Sequence, residues 1–375
     1  MRILLLASYS PSLRNFRGSL IEDLIKSGYQ VYVGAPGLDS DFETKQWLEH
    51  RGVSCYNIRL SRNGVGLISD FFTLLSLYNL IRSIGPNYVL SYTIKPVIWG
   101  CIAARVAQIP NRIALITGLG YAFTPGTSKK RTILRILVGK LYKLALHNST
   151  LILFQNPDDR ADFLRWGIIT KNHHQKIVPG SGVDTERFSP RPFPEGPLNF
   201  LMIARLIQDK GIKEYVESSR LIKKGNPDTT FHLVGALDTN PGGLTEDTVR
   251  QWEKEKLLTW HGEVPDVRPF IEMSHIFVLP SYREGIPRTV LEAMSMGRPI
   301  ITTDTPGCRE TVRDSSNGYL VPARDPNALA RAMKNFLCSP CLIQEMGLVS
   351  RKMAVQKYDV RKVNSLIINS LKEPS

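Results

Sequence analysis

The sequence predicts an α/β protein of two doubly wound domains, each a parallel sheet covered by helices on both faces. Three observations carry this. Short continuous apolar runs alternate with longer helical patterns, as expected of strands buried on both sides. The alternation breaks at 189–197, Ser-Pro-Arg-Pro-Phe-Pro-Glu-Gly-Pro, where four prolines in nine positions can continue neither helix nor strand, and then restarts. The chain of 375 residues, 42% hydrophobic, is also longer than one core ordinarily supports.

In order, the apolar runs predict strands over 3–8, 30–35, 53–58, 88–92, 112–117 and 150–155, with helices between them such as 67–83 and 128–146. After the proline-rich stretch come strands over 198–204, 231–235, 259–262, 276–280 and 299–303, with a helix over 209–224 and another starting near Arg288. Helical patterns near 327–337, 340–357 and 361–371 close the chain. The expected division is a first domain over 1–188, a linker over 189–197, a second domain over 198–356, and a C-terminal helix within 357–375 that packs back on the first domain. Doubly wound domains bind ligands at the carboxyl ends of their strands. The N-terminal apolar run is too short for a signal peptide, and the longest charge-free stretch, 16 residues between Arg112 and Lys129, contains three glycines and a proline. No bilayer-spanning helix is expected.

The net charge of +14 calls for a polyanion, a phosphorylated substrate or an anionic membrane. It is unevenly distributed. Residues 1–185 carry 22 basic and 11 acidic side chains, whereas 186–375 carry 26 and 23. Between Asp70 and Asp158 there are ten Lys or Arg and no acid. The five cysteines suit free thiols in a reducing compartment, so a cytoplasmic location is expected.

The strongest constellation for chemistry runs from Leu279 to Met294. A strand ends, a Gly/Pro loop carries Glu284, and Glu292 follows about one turn into a helix. Carboxylates so placed can accept hydroxyl hydrogen bonds from a sugar and a ribose, while the helix amino terminus favours phosphates. A solvated loop and helix would read the same way on spacing alone. Both acids lie on one loop-helix unit, which does not suit a glycosidase pair flanking a bond. Arg205 and Lys210 follow the first strand of the second domain, where two cations can stabilise a leaving diphosphate.

At these positions the chain resembles the retaining glycosyltransferases of family 4, whose GT-B fold sets two Rossmann-like domains facing each other across a cleft. Glu284 and Glu292 match the family's E-x7-E motif, and Arg205 and Lys210 its diphosphate-binding cations. The similarity continues through 297–301, 305–310 and 317–321. In the first half, 12–17 and 117–121 look like the capsule and N-glycan branch, which includes bacterial enzymes transferring N-acetylgalactosamine onto undecaprenyl-diphosphate sugars.

The resemblance implies that Glu284 holds hydroxyls of the donor sugar and Glu292 the ribose. The backbone of Gly285, Ile286, Pro287, Arg288 and Thr289 would hold phosphate and sugar, and the segment around Val264 would meet the uracil. From the first domain Arg14, Asn15 and Phe16 would close over the phosphates. Thr117, Gly118, Leu119 and Gly120 would face the acceptor, in the place where many members carry a histidine. With neither a histidine nor a carboxylate there, the resemblance implies front-face chemistry, in which the departing diphosphate oxygen takes the acceptor's proton.

The helical stretch 128–147 carries Lys129, Lys130, Arg131, Arg135, Lys140 and Lys143 among apolar residues spaced by three and four, an amphipathic pattern suited either to a solvated basic face or to an anionic inner leaflet. Asp39-Ser-Asp41 has the spacing of a metal-binding D-x-D but reads as a helix cap. Cys338-Ser-Pro-Cys341 reads as a helix start with Ser339 as cap, not as a metal or redox pair. The expectation is therefore a retaining glycosyltransferase that uses no cofactor or metal. It would take a UDP-sugar donor and a polyprenyl-diphosphate-linked acceptor on the inner face of the plasma membrane. A nucleotide-sugar epimerase of the same fold would need acid/base residues that 71–157 cannot supply as carboxylates. An RNA-binding protein would need aromatic/basic interleaving, which is missing.

Overall fold

The computed structural model describes residues 1–60, 66–119, 123, 129–147, 149–238 and 242–373. It contains two parallel sheets and divides into two compact units, one of 1–181 with 363–375 and one of 182–362.

In the first unit the strands are β1 (Arg2–Leu6), β2 (Gln30–Ala35), β3 (Ser54–Asn57), β4 (Tyr88–Tyr92), β5 (Asn111–Ile116), β6 (Leu151–Phe154) and β7 (Gln175–Ile177), ordered β3-β2-β1-β4-β5-β6-β7. The helices are α1 (Pro11–Asn15), α2 (Gly18–Lys26), α3 (Phe42–Glu49), α4 (Leu67–Ile84), α5 (Ile94–Val106), α6 (Lys129–Leu146) and α7 (Pro157–Arg165). β1 shows why the strands are continuously apolar. Ile3 and Leu5 pack with α2 and α3, while Leu4 and Leu6 pack with α4 and α5, so both faces are buried. β7, only three half-buried residues at the sheet edge, is too short and polar to stand out in the sequence.

The second unit repeats the order. Its strands β8 (Asn199–Ile203), β9 (Thr230–Val234), β10 (Thr259–Trp260), β11 (Ile276–Leu279), β12 (Ile300–Thr303) and β13 (Gly318–Val321) run β10-β9-β8-β11-β12-β13. Its helices are α8 (Ile212–Lys223), α9 (Glu246–Lys254), α10 (Arg268–Glu272), α11 (Arg288–Ser295), α12 (Pro326–Cys338) and α13 (Cys341–Met353). The helix expected from 209 starts at Ile212, because Gln208–Lys210 forms a tight 3₁₀ turn ending in left-handed Gly211. Ser339 closes α12 rather than capping α13, which Pro340 precedes.

The proline-rich stretch 189–197 is irregular and lies within the second unit. Arg298, fully buried, donates to the carbonyls of Arg191 and Pro192 at 2.9 and 3.0 Å, and its guanidinium sits over the Phe193 ring. The last helix, α14 (Val360–Lys372), turns Val363, Ile367, Ile368 and Leu371 into the core of the first unit. Asn364 on α14 donates to Asp23 at 2.7 Å. Among the described residues no helix is long and apolar enough to cross a membrane.

Candidate active site

Both sheets reverse their strand order beside their first strand, at β1/β4 and at β8/β11. Loops leaving the carboxyl ends of such a strand pair diverge to opposite faces and leave a crevice. In the second unit this is where Arg205, Lys210 and Glu284 stand. Arg205 follows β8 and donates through Nη1 to Oδ2 of Asp238 at 2.6 Å; Asp238 lies beyond the end of β9, its side chain only 8% exposed. Lys210, in the 3₁₀ turn, pairs through Nζ with Oε1 of Glu284 on the loop after β11.

That loop is anchored on three sides. The Ser281 hydroxyl and the Tyr282 amide both donate to the Asp209 carbonyl, at 3.1 and 2.9 Å. Thr303 and Thr305 donate their hydroxyls to the Ser281 carbonyl, and the Glu284 amide donates to Pro306 at 3.0 Å. A Cβ at Gly211 would collide with the Pro280 carbonyl, and one at Gly307 with the carbonyls of Glu284 and Gly285. Both glycines have positive φ, so the close approach and the backbone conformation each require glycine.

Gly285, Ile286 and Pro287 are buried, and α11 starts at Arg288. Pro287 has no side-chain acceptor for the first-turn N–H groups of Arg288 and Thr289, whose dipole favours an anion. One turn on, buried Glu292 accepts from Arg288 Nε at 2.9 Å. Burial pushes its carboxyl pKa up and the Arg288 charge opposes the rise; nearby Asp266 adds to it. Asp266 is two residues beyond Val264, so the Val264 segment and Glu292 are brought together. Asp266 is itself held by Arg268 at 2.6 Å, which keeps its carboxyl below the usual range.

In the first unit the loop after β1 carries α1. Asn15 ends that helix and, like Phe16, is exposed, while Arg14 pairs with Glu43. Arg17 turns inward and lies over the Tyr92 ring at 5.1 Å, and Tyr92 shares a 2.9 Å hydrogen bond with Ser12. Burial pushes the Tyr92 hydroxyl up to about 12. Thr117 and Gly118 leave the carboxyl end of β5, and Leu119 is fully buried among α5 and α6 side chains. Gly120 lies outside the described residues.

On α6, Arg135, Lys140 and Lys143 are exposed; the side chains of Lys129, Lys130 and Arg131 lie outside the described residues. The sequence pattern alone gives no role to Asp238 or to Tyr282. Tyr282 donates to Glu214 at 2.6 Å and lies under the Arg324 guanidinium, tying the loop to α8. The acid closing Val-Gly-Ala-Leu-Asp at a strand's carboxyl end was the available signal for Asp238. Asp41 caps α3 by accepting from the Thr44 amide at 3.1 Å, and Asp39 pairs with Lys45.

Residues 2–156 match the family described as glycosyl transferase 4-like, and 197–339 that of glycosyl transferases group 1. The chain is similar to an N,N'-diacetylbacillosaminyl-diphospho-undecaprenol alpha-1,3-N-acetylgalactosaminyltransferase of Campylobacter jejuni, with 28% identity over 90% of this chain and 89% of that protein. A UDP-Gal:alpha-D-GlcNAc-diphosphoundecaprenol alpha-1,3-galactosyltransferase of Escherichia coli is 27% identical over 73% of this chain and 72% of its own length. Among solved structures, sucrose-phosphate synthase of Thermosynechococcus elongatus superposes with a TM-score of 0.83 at 18% identity, covering 99% of this chain and 98% of that one. With a glycosyl transferase 4-like domain matched in the first half, a glycosyl transferases group 1 domain in the second and two Rossmann-like sheets, the chain is a glycosyltransferase of GT-B fold.

Proposed function

We infer that the protein is a retaining glycosyltransferase that moves a hexose or N-acetylhexosamine from a UDP-sugar onto a polyprenyl-diphosphate-linked glycan, without a metal. It would act in surface polysaccharide or glycoprotein glycan synthesis, with the cationic face of α6 resting on the inner face of the plasma membrane. The observation that carries this reading is the pairing of Arg205 with Asp238 and Lys210 with Glu284 at the β8/β11 switch point. The Campylobacter jejuni and Escherichia coli relatives, both named for a diphosphoundecaprenol-linked acceptor and the second also for a UDP-sugar, support the substrate classes.

A donor diphosphate in that crevice draws Arg205 and Lys210 onto its oxygens. Glu284, released from Lys210, accepts hydroxyl hydrogens of the sugar, and Glu292 accepts those of the ribose. The anomeric carbon–oxygen bond to the diphosphate breaks as the two cations take up the developing negative charge. The acceptor oxygen bonds to the same carbon from the same face, and its proton passes to the departing diphosphate oxygen, so UDP leaves and configuration is retained. Thr117 and Gly118 supply no base, in keeping with that route.

The test is a UDP-release screen of UDP-sugars with a polyprenyl-diphosphate-linked glycan, run in EDTA, followed by NMR of the new linkage. Turnover in EDTA and an alpha linkage from an alpha-configured donor are expected. An inverted linkage overturns the retaining assignment, and a strict Mn²⁺ requirement returns attention to Asp39 and Asp41.

A further inference from the structure

Tyr282 belongs to the loop that carries Glu284, but its side chain leaves that loop for two other elements. The hydroxyl donates to Oε1 of Glu214, in the first turn of α8, at 2.6 Å. The Arg324 guanidinium, from the link between β13 and α12, lies over the ring at 4.6 Å from its centre. Arg324 holds a left-handed backbone conformation, φ 64°, which residues with a side chain keep only where their surroundings impose it. One aromatic side chain therefore joins the β11 loop to α8 and to the β13–α12 link.

The Glu214 end of this contact leaves little freedom. Its second oxygen, Oε2, is buried and has no hydrogen-bond partner among the described residues. The carboxylate thus depends on the Tyr282 hydroxyl, because a buried acceptor that loses its donor is left desolvated without compensation. Burial, with the Glu214 hydrogen bond and charge, raises the hydroxyl pKa above its usual 10, so the phenol remains a donor at neutral pH. Glu214 stands four residues after Lys210, and Lys210 pairs with Glu284. The backbone closes the same circuit from the other side, where the Tyr282 amide and the Ser281 hydroxyl both meet the Asp209 carbonyl. The Lys210 turn and the Glu284 loop are held in register at both points.

We propose that Tyr282 is a positioning residue for donor-sugar discrimination: through Glu214 and Arg324 it fixes where the Glu284 carboxylate stands against the sugar hydroxyls. Epimeric hexoses differ in the direction of a single hydroxyl, so a site separates them by where its acceptor is held. A misplacement of about 1 Å is enough to lose such a contact. The proposal rests on the reading that Glu284 accepts hydroxyl hydrogens of the donor sugar, and it adds what keeps that carboxylate in place.

The experiment compares kcat/KM for the donor identified by UDP release with that for its C4 epimer. The proteins are wild type, Tyr282→Phe, Glu214→Gln, Glu214→Ala, Glu284→Gln and the double variant Tyr282→Phe/Glu284→Gln. Tyr282→Phe keeps the ring under Arg324 and removes only the hydroxyl. It should lower kcat/KM for the preferred donor by about tenfold and for the epimer by about twofold or less, so that the preference shrinks. Glu214→Gln still offers the hydroxyl an acceptor and should keep the wild-type preference, whereas Glu214→Ala should behave as Tyr282→Phe does. UDP alone, which carries no sugar, should bind the Tyr282 and Glu214 variants with wild-type affinity by calorimetry, which also establishes that they fold. In the double variant the preference should fall no further than in Glu284→Gln, since both changes act through one carboxylate. Equal losses for both donors in Tyr282→Phe, an intact preference in Glu214→Ala, weakened UDP binding, or a wild type that uses both epimers equally would each overturn the proposal. If Glu284→Gln itself keeps the preference, Glu284 is not on the donor sugar and both readings fall. If it loses the preference while Tyr282→Phe keeps it, only the positioning role falls.

Discussion

The two sheets share one strand order but handle charge in opposite ways. At the β8/β11 switch point of the second unit, three cations each meet a carboxylate of their own unit: Arg205 with Asp238, Lys210 with Glu284, Arg288 with Glu292. On helices α4 to α6 of the first unit the one acid, Asp70, is turned inward to Lys95, and Arg135, Lys140 and Lys143 are left to solvent beside apolar side chains. The difference shows what each arrangement can receive. Internally paired cations are held in place, partly desolvated, for a ligand that displaces the carboxylates, which then serve as acceptors for the ligand's hydroxyls. Excess cations on an outer face suit an extended anionic surface that needs no precise geometry.

Three measurements sharpen or break that contrast. The largest effect should come from Arg205→Ala or Lys210→Ala, which should lower kcat by about 10²-fold, equivalent to about 3 kcal/mol of transition-state stabilisation. Reversing Arg135, Lys140 and Lys143 should leave turnover of a water-soluble acceptor intact. Near-normal kcat in both alanine variants would remove the diphosphate assignment and with it the contrast.

Glu292→Gln comes next and should act in two directions. Because burial raises the carboxyl pKa above its usual 4.5, the ionised form at neutral pH works against folding, so the amide should raise the melting temperature. It should also weaken UDP binding by about tenfold, the loss of one charge-assisted hydrogen bond. In the wild type, UDP affinity should fall as pH drops through the raised pKa and stay flat in the variant. Calorimetry showing equal UDP affinity would take Glu292 off the ribose.

The smallest effect concerns the paired histidines at the β9–β10 edge of the second sheet. His232 Nδ1 and His261 Nε2 are 3.1 Å apart, and burial, with His261 and Lys223 nearby, lowers the His232 pKa to about 4. A histidine with a lowered folded pKa favours the neutral form. Its contribution to stability is complete above the unfolded value of about 6.5 and is lost as pH falls toward 4. The melting temperature should therefore decline across that window, and less steeply in His232→Asn. An unchanged slope would show that other groups set the acid limit.

Much of this was legible in the chain. The strands β2 and β4 lie where the apolar runs place them, and Glu284 stands on the loop and Glu292 about one turn into the helix, as their spacing implies. β7 and β13 were not legible, since three or four residues at a sheet edge carry too little pattern to separate from a loop. The exposure of Ile133, Ile136, Leu137 and Leu144 on α6 was also hidden. Spacing by three and four shows that a helix has apolar faces but not which of two such faces the sheet covers.

The sequence by itself determined the two doubly wound sheets, the acid-free stretch from 71 to 157 and the E-x7-E loop-helix unit, because each is written in residues close along the chain. Tertiary structure alone decided the partners. Arg205 meets a carboxylate 33 residues away and Lys210 one 74 away, and both pairs exist only because β9 and β11 flank β8 in the sheet. The physical reason is the same in each case. Local pattern selects elements, whereas which charges face one another, and which apolar faces stay uncovered, follows from the order in which strands pair.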